Sequence, residues 1–519
     1  MRTDNNRIYV TKDQGGTWEE PKELKNDEIT AIYPNQNQND FVFFTTPSAK
    51  SFYTTNRFGS IKEDIGPNPP TSREDIPLAL RFHSKRSDYI IWISDRDCED
   101  RSSKGCHAAA YYTTGRGNYW PMLCPYVRNC AWIHSDTLLK TPEKLVFCEK
   151  YAKDEKPSDT NPMRLISSDD FFQTETVHFE SIMGFATMGE FILAAEVKDD
   201  SSLRLHASID GKIFAEAKFP HSLQVDKQQA YTLLDSVTHV IFLHVTVNSI
   251  KGSEYGALIK SNSNGTSYVL SLRNVNRNEY GFVDFEKMQG LEGVAIVNVV
   301  ANVDETNKGG KKKLKSMITH NDGGVWDYLH APPKDTEGKD YKCDVKQVRL
   351  PSPIFITNLW LIRIQPEQCS LHLHGYTERK DPRDTFSSGS AVGLLVGVGN
   401  VGEYLTSKSE GNTYLTRDGG ITWKEIRKGS YMWEYGDQGS IIALVNENEP
   451  TDTLFYTLDE GENWHDYNFG EKIYVIDITT IPSDTSRKFL IWGLVVGQGG
   501  KAITIQIDFT NLTDKKCKS

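Results

Sequence analysis

A short acidic, glycine-rich box that ends in an aromatic residue recurs along this chain and constrains its fold more than any other feature. The first copy reads VTKDQGGTW, and later copies read ITHNDGGVW, LTRDGGITW and YTLDEGENW. Each has a Ser or Thr, an Asp or Asn two positions on, a Gly two positions further and an aromatic residue three positions after that. Self-similarity at a regular spacing indicates a repeat architecture.

Nine copies align on this pattern. Their spacing is near 50 residues, except that the interval from Thr319 to Thr416 is about twice as long. The four strong copies contain Asp13 and Trp18, Asn321 and Trp326, Asp418 and Trp423, and Asp459 and Trp464. The five degenerate copies begin at Thr54, Thr113, Ser167 (with Asp169), Ser208 and Ser261.

The segments between boxes read as short alternating strands such as EFILAAEVK, VIFLHVTVN and SIIALVNEN. A repeat of this length holds about four strands, which is one propeller blade. After the ninth box, KIYVIDITTI, KFLIWGLVV and AITIQIDF supply a tenth blade without a box. Only one strand, RIYV, precedes the first box, so we expect the first blade to lack its inner strands. The sequence predicts an all-β, ten-bladed β-propeller.

The box residues have a mechanical explanation. Ser, Thr and Asp side chains can accept hydrogen bonds from turn amides, glycine supplies a positive φ, and the aromatic ring seals the hairpin against neighbouring strands. A calcium loop would need more carboxylates than each box offers. A catalytic acid would not be copied nine times and then lost in the copies at Thr113 and Ser261. We therefore expect a structural clasp, with neither a metal nor a cofactor.

Composition excludes several classes of protein. The net charge of −11 argues against a general nucleic-acid binder. The one basic run, KKKLK from Lys311, is interpreted as a solvated hairpin tip. No apolar run approaches the roughly 18 residues of a membrane helix. If the protein is secretory, its leader and any transmembrane anchor are expected outside the sequence given.

Eight cysteines and no CxxC pair favour disulfides over a zinc ribbon. We predict three bonds that each close a local loop: Cys98–Cys106, Cys130–Cys148 and Cys343–Cys369. The pairing of Cys124 and Cys517 is left open. Sequons at Asn264 and Asn511 predict glycosylation in the same oxidising compartment.

Beyond the boxes, the segments CSLHLHGYTERKD and GLLVGVGNVG and the ending IDFTNLTDKKC resemble the sortilin-type vacuolar protein-sorting receptors, including fungal members with two such domains in tandem. The resemblance implies a ten-bladed propeller with a central tunnel, followed by a cysteine-rich module. On this basis residues 1–510 form the propeller, with a disulfide-tied insertion at about 330–390, and residues 511–519 begin the module.

The resemblance further implies the luminal domain of a type I membrane receptor. Such a receptor captures propeptides or peptide tails of soluble hydrolases in the Golgi and releases them in endosomes. In animal relatives an arginine near the sixth box holds a peptide carboxylate. The corresponding stretch here is SYVLSLRNVNR, which makes Tyr268, Ser271, Arg273 and Arg277 the candidate ligand-binding residues.

Two other classes of protein remain possible at this stage. One is a sialidase-like glycoside hydrolase, which also carries such boxes but on six blades. The other is a scaffold propeller without a saturable peptide site. The sequence does not determine the oligomeric state.

Two sets of histidines also merit attention. His372 and His374 alternate on a strand, as metal ligands can, but we interpret them as a satisfied pair. Acid release of cargo through His206, His239 or His244 is a separate hypothesis.

Overall fold

The computed structural model describes residues 1–74, 76, 78–100, 103, 105–117, 119–134, 138–153, 155, 161–198, 202–221, 223, 231–237, 240–341, 369–378, 386–480 and 483–512. Within these ranges the regular secondary structure is almost entirely antiparallel β-strand. The helical elements of the described residues are the four-residue α1 (Val303–Thr306) and single 3₁₀ turns at Tyr376–Glu378, Lys408–Glu410 and Asp437–Gly439. The predicted all-β class is confirmed.

The first half of the chain forms a succession of four-stranded sheets, each built from consecutive strands. They are β1 (Ala31–Pro34), β2 (Val42–Thr45), β3 (Lys50–Thr54) and β4 (Lys62–Ile65); β5 (Leu80–Phe82), β6 (Ile90–Arg96), β7 (His107–Thr113) and β8 (Met122–Pro125); β9 (Val127–Trp132), β10 (Val146–Tyr151), β11 (Met163–Ser168) and β12 (Thr176–Phe179); and β13 (Ile182–Met188), β14 (Phe191–Val197), β15 (Leu203–Ser208) and β16 (Ala215–Glu216).

The second half repeats this order, with some neighbouring sheets joined. The strands are β17 (Tyr231–Val237), β18 (Val240–Asn248), β19 (Tyr255–Ser261) and β20 (Tyr268–Asn276); β21 (Phe285–Lys287), β22 (Ala295–Val300), β23 (Leu314–Thr319) and β24 (Asp327–Tyr328); β25 (Ser370–Leu373), β26 (Leu395–Gly402), β27 (Asn412–Thr416) and β28 (Lys424–Arg427); and β29 (Tyr431–Gly436), β30 (Ile441–Asn446), β31 (Thr451–Thr457), β32 (His465–Thr480), β33 (Lys488–Val495) and β34 (Ala502–Asp508). The pair Val275–Val299 joins β20 to β22, and the long β32 joins β31 to β33.

The core lies between consecutive sheets. One cluster joins Ile91 and Ile93 of β6 to Cys130 of β9 and Cys148 of β10. Another joins Ile296 and Ile318 to Leu371, Leu395, Tyr414 and Trp423 of the following sheet. Because each sheet buries both faces against its neighbours, the strand interiors are continuous apolar runs rather than alternating ones. The burial of β22 along its whole length shows this pattern.

The first box meets the last sheet, which closes the succession into a ring. The ring of Trp18 packs edge-on against Trp492 of β33, with centroids 5.7 Å apart. Gln506 Nε2 of β34 donates to the backbone oxygens of Asp13 at 3.1 Å and Gln14 at 2.8 Å. Four-stranded antiparallel meanders packed face to face in a closed ring define a β-propeller. The count of ten blades stays a prediction.

Before the first box the chain pairs its first residues with the RIYV segment through an isolated β-bridge. The backbone of Met1 and Thr3 pairs with that of Tyr9 and Arg7, through bonds such as Thr3 N to Arg7 O at 2.9 Å. The turn between the paired segments, Asp4 to Asn6, is polar, so the residues before RIYV show no alternating apolar pattern in the sequence. The extent of the first blade remains a prediction.

Two of the three predicted disulfides are present. Cys98 and Cys106 close the connection between β6 and β7, and Cys130–Cys148 joins directly opposed residues of β9 and β10. Cys369 is also disulfide-bonded, but its predicted partner Cys343 lies outside the described residues, as does Cys517. Cys124 is a buried thiol.

The start of the predicted insertion at about 330–390 is anchored on β28. Glu425 of that strand accepts hydrogen bonds from the backbone nitrogen of Thr336 at 3.2 Å and from the hydroxyl of Tyr341 at 3.0 Å. Lys428 Nζ lies 2.6 Å from Glu425 Oε1 and 3.0 Å from Asp335 Oδ2. This buried carboxylate holds residues 335–341 against the sheet. The rest of the insertion includes residues outside the described ranges.

Candidate functional site

Each regular box is a self-contained clasp between the third and fourth strands of a sheet. In the box at Thr416, its Oγ1 accepts from Gly420 N at 2.9 Å and donates to Asp418 Oδ1 at 2.9 Å. Asp418 Oδ1 in turn accepts from Thr422 N at 2.8 Å. The boxes at Thr11 and Thr457 make the same contacts. The turn itself therefore uses the oxygens that a metal or a substrate would need.

The clasp also accounts for the charge state of its carboxylates. Hydrogen bonds from the backbone and side chain of Thr17 lower the pKa of Asp13 to about 2. Bonds from Asn463 lower the pKa of Asp459 to about 2 in the same way. A general acid needs a pKa near the operating pH, so these groups are unsuited to acid catalysis.

The box glycines and tryptophans pack against the preceding sheet. Gly420 and Gly461 have φ near +88°, and a side chain on either would collide with Ile318 or Leu415 of the sheet before it. Trp326 Nε1 donates to Ser271 Oγ of β20 at 3.0 Å. Each clasp thus fixes a hairpin and also joins two sheets.

Two degenerate boxes were predicted in the wrong register. The copy assigned to Ser167 and Asp169 begins at Ser168, whose Oγ accepts from Phe172 N at 2.8 Å, while Asp170 accepts from Thr174 N at 3.0 Å. The repeated letters of Ser-Ser-Asp-Asp permit either register, and Phe172 stands at positive φ where a glycine would have marked the position.

The copy assigned to Ser261 is built on Asn262 instead. Asn262 Oδ1 accepts from Thr266 N at 2.9 Å, whereas the Ser261 hydroxyl serves Ile241 N and the backbone. Asn264, the predicted glycosylation site, is exposed in this turn, and Asn511 is exposed after β34.

Three of the four predicted ligand-binding residues lie on β20, the fourth strand of its sheet, and Arg277 directly follows that strand, so the four do not converge. Tyr268 is buried against Phe219 near the box end of the strand. Ser271 Oγ donates to Gly323 O at 2.6 Å and accepts from Trp326, so it belongs to the contact between sheets. Arg273 is exposed on the same strand. Tyr268 lies opposite Ser261 and Asn276 lies opposite Tyr255, so the two ends of β20 are about six strand residues, or about 20 Å, apart.

Arg277 alone reaches back across its sheet. Its side chain is 4% exposed, and Nη1 donates to Thr232 Oγ1 of β17, the first strand, at 2.5 Å. Burial lowers the pKa of this guanidinium, an effect that the nearby carboxylate of Glu254 opposes. Lys312 Nζ donates to the backbone oxygens of Arg277 at 2.8 Å and Glu254 at 3.1 Å. The geometry thus separates Arg277 from the other three candidates.

Sequence reasoning missed most of this charged cluster. Lys312 belongs to the basic run that was interpreted as a solvated hairpin tip, which is wrong for this residue because its side chain is mostly buried. Burial lowers the pKa of Lys312, with Glu254 and Asp284 opposing that effect. Thr232 and Glu254 lie 80 and 58 positions away from it in the sequence, and no local pattern links them.

The structure places the histidines named in the sequence analysis in different environments. His372 and His374 are both buried, but His372 Nδ1 accepts from Ser316 N at 3.1 Å, whereas His374 pairs with Glu378. Burial lowers the pKa of His244 to about 3, so this ring stays neutral between pH 5 and pH 7. The hypothesis that His244 drives acid release is therefore wrong. His206 lies 2.8 Å from Glu196 Oε2, and His239 lies outside the described residues.

Taken together, a closed ring of antiparallel meanders with Asp-box clasps defines the class of the molecule as an Asp-box β-propeller. The family model Sortilin-Vps10, described as sortilin, neurotensin receptor 3, matches residues 6–478. The chain belongs to the Sortilin-Vps10 family.

Curated relatives agree over the full chain. It is 49% identical over 520 residues to the vacuolar protein sorting/targeting protein 10 of Blastomyces gilchristii. The alignment covers 99% of this chain and 33% of that protein. It is 47% identical over 522 residues to the protein of the same name in Aspergillus fumigatus. That alignment covers 100% of this chain and 33% of the relative. The chain thus spans about a third of the length of these relatives.

Among solved structures, a GH74 enzyme of Niastella koreensis is 12% identical, covering 97% of this chain and 80% of that one, with a TM-score of 0.31. A similarity this loose says nothing about activity. Among the residues that the structure describes, no helix has the length and hydrophobicity needed to span a membrane.

Proposed function

We propose that this chain is the cargo-binding domain of a vacuolar sorting receptor. In this proposal, residues 1–510 form a ten-bladed propeller with a central tunnel, and residues 511–519 begin a cysteine-rich module. The domain works in the lumen of the Golgi and endosomes, as part of a type I membrane protein whose membrane segment lies outside the sequence given. Its cargo is propeptides or peptide tails of soluble hydrolases destined for the vacuole. The family assignment supports this function over a sialidase-like hydrolase.

The observation that supports a peptide site is the buried Arg277. In a propeller the first strand of each sheet lines the central channel. Arg277 extends to Thr232 on such a strand, and its guanidinium fork matches a carboxylate. A charge-assisted hydrogen bond is stronger where water is excluded, so an anionic peptide end bound there gains more than it would at an exposed arginine. We therefore favour Arg277 over Arg273 as the carboxylate-binding residue.

Calorimetry with synthetic hydrolase propeptides tests this proposal. The full chain should bind a propeptide that has a free C-terminal carboxylate. Arg277→Gln should weaken that binding at least about tenfold, which is about 1.4 kcal/mol. The same peptide with an amidated C-terminus should bind the native chain and the Arg277→Gln variant equally, because it lacks the group that Arg277 recognises.

Arg273→Gln is the matched control, because it removes an arginine from the same strand at an exposed position and should leave affinity unchanged. Arg277→Lys retains the charge and should restore part of the affinity, which separates recognition from a folding defect. If none of the synthetic propeptides gave a saturable heat of binding, the chain would be a scaffold propeller without a peptide site, and this proposal would be wrong.

A further inference from the structure

The end of the sheets opposite the boxes carries an exposed apolar surface that the clasps do not explain. Successive antiparallel strands turn at alternate ends, so the β18–β19, β20–β21 and β22–β23 connections share the end away from the boxes. We call the residues 248–254, 277–283 and 301–313 the loop platform. Ile250 is 54% exposed on it, Tyr280 is 78% exposed and Phe282 is 36% exposed.

The loop platform is cross-linked, so it presents a defined surface rather than three independent loops. Lys251 Nζ lies 2.7 Å from Glu279 Oε2, which joins the first two connections. Lys312 of the third connection donates to the backbone of Glu254 and Arg277 in the other two. Asn307 Oδ1 accepts from Asn248 Nδ2 at 3.2 Å and thereby ties the third connection to the first.

The aromatic part of the loop platform is supported from beneath. Asn278 Oδ1 accepts from the backbone nitrogens of Tyr280 at 3.1 Å and Phe282 at 3.0 Å, which fixes the turn. Its Nδ2 donates to Thr377 O at 3.1 Å, and the Phe282 ring packs edge-on against Tyr376 with centroids 5.5 Å apart. Tyr280 is therefore held outward by a rigid turn, as an aromatic anchor of a binding surface would be.

The charge of the loop platform differs from that of the rest of the molecule. Its three connections carry six Lys or Arg side chains against four Asp or Glu, whereas the whole chain has a net charge of −11. Lys313 pairs with Glu305, and Lys312 pairs with Glu254. Lys308 and Lys311 are exposed and make no ion pair with any residue that the structure describes. An anionic partner is repelled by the protein as a whole but attracted here.

We propose that the loop platform is a second docking surface, which binds a peptide segment that combines apolar and acidic side chains. The apolar side chains pack on Tyr280, Phe282 and Ile250, and the acidic ones face Lys308 and Lys311. This surface recognises the interior of a chain and needs no free carboxylate. It is therefore independent of the carboxylate recognition proposed for Arg277.

Fluorescence anisotropy with a labelled, C-terminally amidated peptide of alternating Leu and Glu tests the surface on the full chain. We expect saturable binding that weakens as salt is added, because exposed charges are screened. The double substitution Ile250→Ser with Tyr280→Ser should weaken it at least about tenfold. The charge reversal Lys308→Glu with Lys311→Glu should weaken it and also flatten its salt dependence.

The control is a pair on the box side, Ile421→Ser with Lys424→Glu, which removes a similarly exposed aliphatic residue and a similarly exposed lysine. It should bind the peptide as the native chain does. Equal binding of a Leu and Lys peptide, or unchanged binding by both loop-platform variants, would overturn the proposal. Because the substituted residues are exposed, melting curves should show all variants folded.

Two other occupants are tested with the same variants. If the native chain, but not the Tyr280 variant, sedimented with vesicles of phosphatidylcholine and phosphatidylserine, the surface would be a membrane contact instead. If sedimentation velocity showed a dimer that the Tyr280 variant loses, the occupant would be a second copy of this chain. Either result would refute the peptide assignment.

Discussion

The carboxylates of Asp418 and Asp284 are both saturated with hydrogen bonds, but they obtain their donors in opposite ways. Asp418 takes its donors from residues no more than four positions away, within one exposed turn. Asp284 is 2% exposed, and its donors are Asn276, Asn298 and the backbone of Thr377, which is 93 positions away. The first type of contact can repeat along a sequence, whereas the second belongs to one place in the fold. Local clasps hold the hairpins of each sheet, whereas a carboxylate with distant donors, such as Asp284, holds together segments that are far apart in the sequence.

The largest effect is expected at Asp284. Asp284→Ala removes one of the two acceptors of the Asn276 and Asn298 amide groups and the acceptor of the Thr377 backbone N–H, and it removes an anion near Lys312. We expect a loss of about 3 kcal/mol in the free energy of unfolding, measured from guanidinium titrations. Asp304→Ala, at an exposed aspartate, is the control and should be near neutral. A loss as small as that of the control would mean that the long-range contacts are not important to stability.

A slightly smaller effect is expected at Gly375, which faces Asp284 in the segment CSLHLHG. A Cβ on Gly375 would lie 2.5 Å from Asp284 Cγ and 2.9 Å from Asn298 Nδ2. Gly375→Ala should therefore cost about 2 kcal/mol through overpacking. At Gly389 the nearest atom to an added Cβ is 4.0 Å away, so Gly389→Ala serves as the control. Thermal unfolding of both variants compares them, and equal melting temperatures would contradict the close approach.

A clasp should be less costly to break than the contacts around Asp284. Thr416→Val preserves shape but removes the acceptor for the buried Gly420 N–H, which should cost about 1 to 2 kcal/mol. Thr457→Val removes the equivalent bond to Gly461 and should cost a similar amount if the clasps are interchangeable. Denaturant midpoints of the two variants measure this. A large difference between them would show that the boxes are not equivalent units.

The same distinction explains what could be predicted from the sequence. The all-β class and the disulfides Cys98–Cys106 and Cys130–Cys148 are confirmed, and each of these disulfides closes a loop between residues close in sequence. The regular boxes also depend on local contacts, so one sequence pattern describes them. The register of the box at Ser168 was wrong because its glycine is missing. The structure places Tyr268 and Arg277 at opposite ends of β20, and their role in ligand binding stays a prediction. No sequence pattern pairs Thr232 with Arg277; they meet because the fold brings β17 within reach of the Arg277 side chain.

The last prediction concerns pH and contrasts the clasps with a carboxyl group on β29. Burial raises the pKa of Glu434 to about 7, and the carboxylates of Asp477 and Asp484 add to this, while Tyr435 N and the Thr480 hydroxyl oppose it. A raised folded-state pKa means that the native state holds the proton more tightly than the unfolded chain does. The stabilising contribution of Glu434 is therefore complete below pH 4.5 and is lost as the pH rises through 7.

The clasp carboxylates have the opposite sign. The lowered pKa of Asp13 contributes stability above pH 3.8, and that contribution is lost only as the pH falls towards 2. Acidification from pH 7 to pH 5 should therefore leave the clasps intact while favouring protonated Glu434. Glu434→Gln mimics the protonated form and should raise the free energy of unfolding above pH 7, with no effect at pH 4. Unfolding titrations across this range measure the difference, with Glu449→Gln at an exposed site as the control. If the free energy of unfolding of Glu434→Gln ran parallel to that of the native chain across this pH range, the pKa of Glu434 would not be raised. The contrast between the two kinds of carboxylate would then not extend to pH.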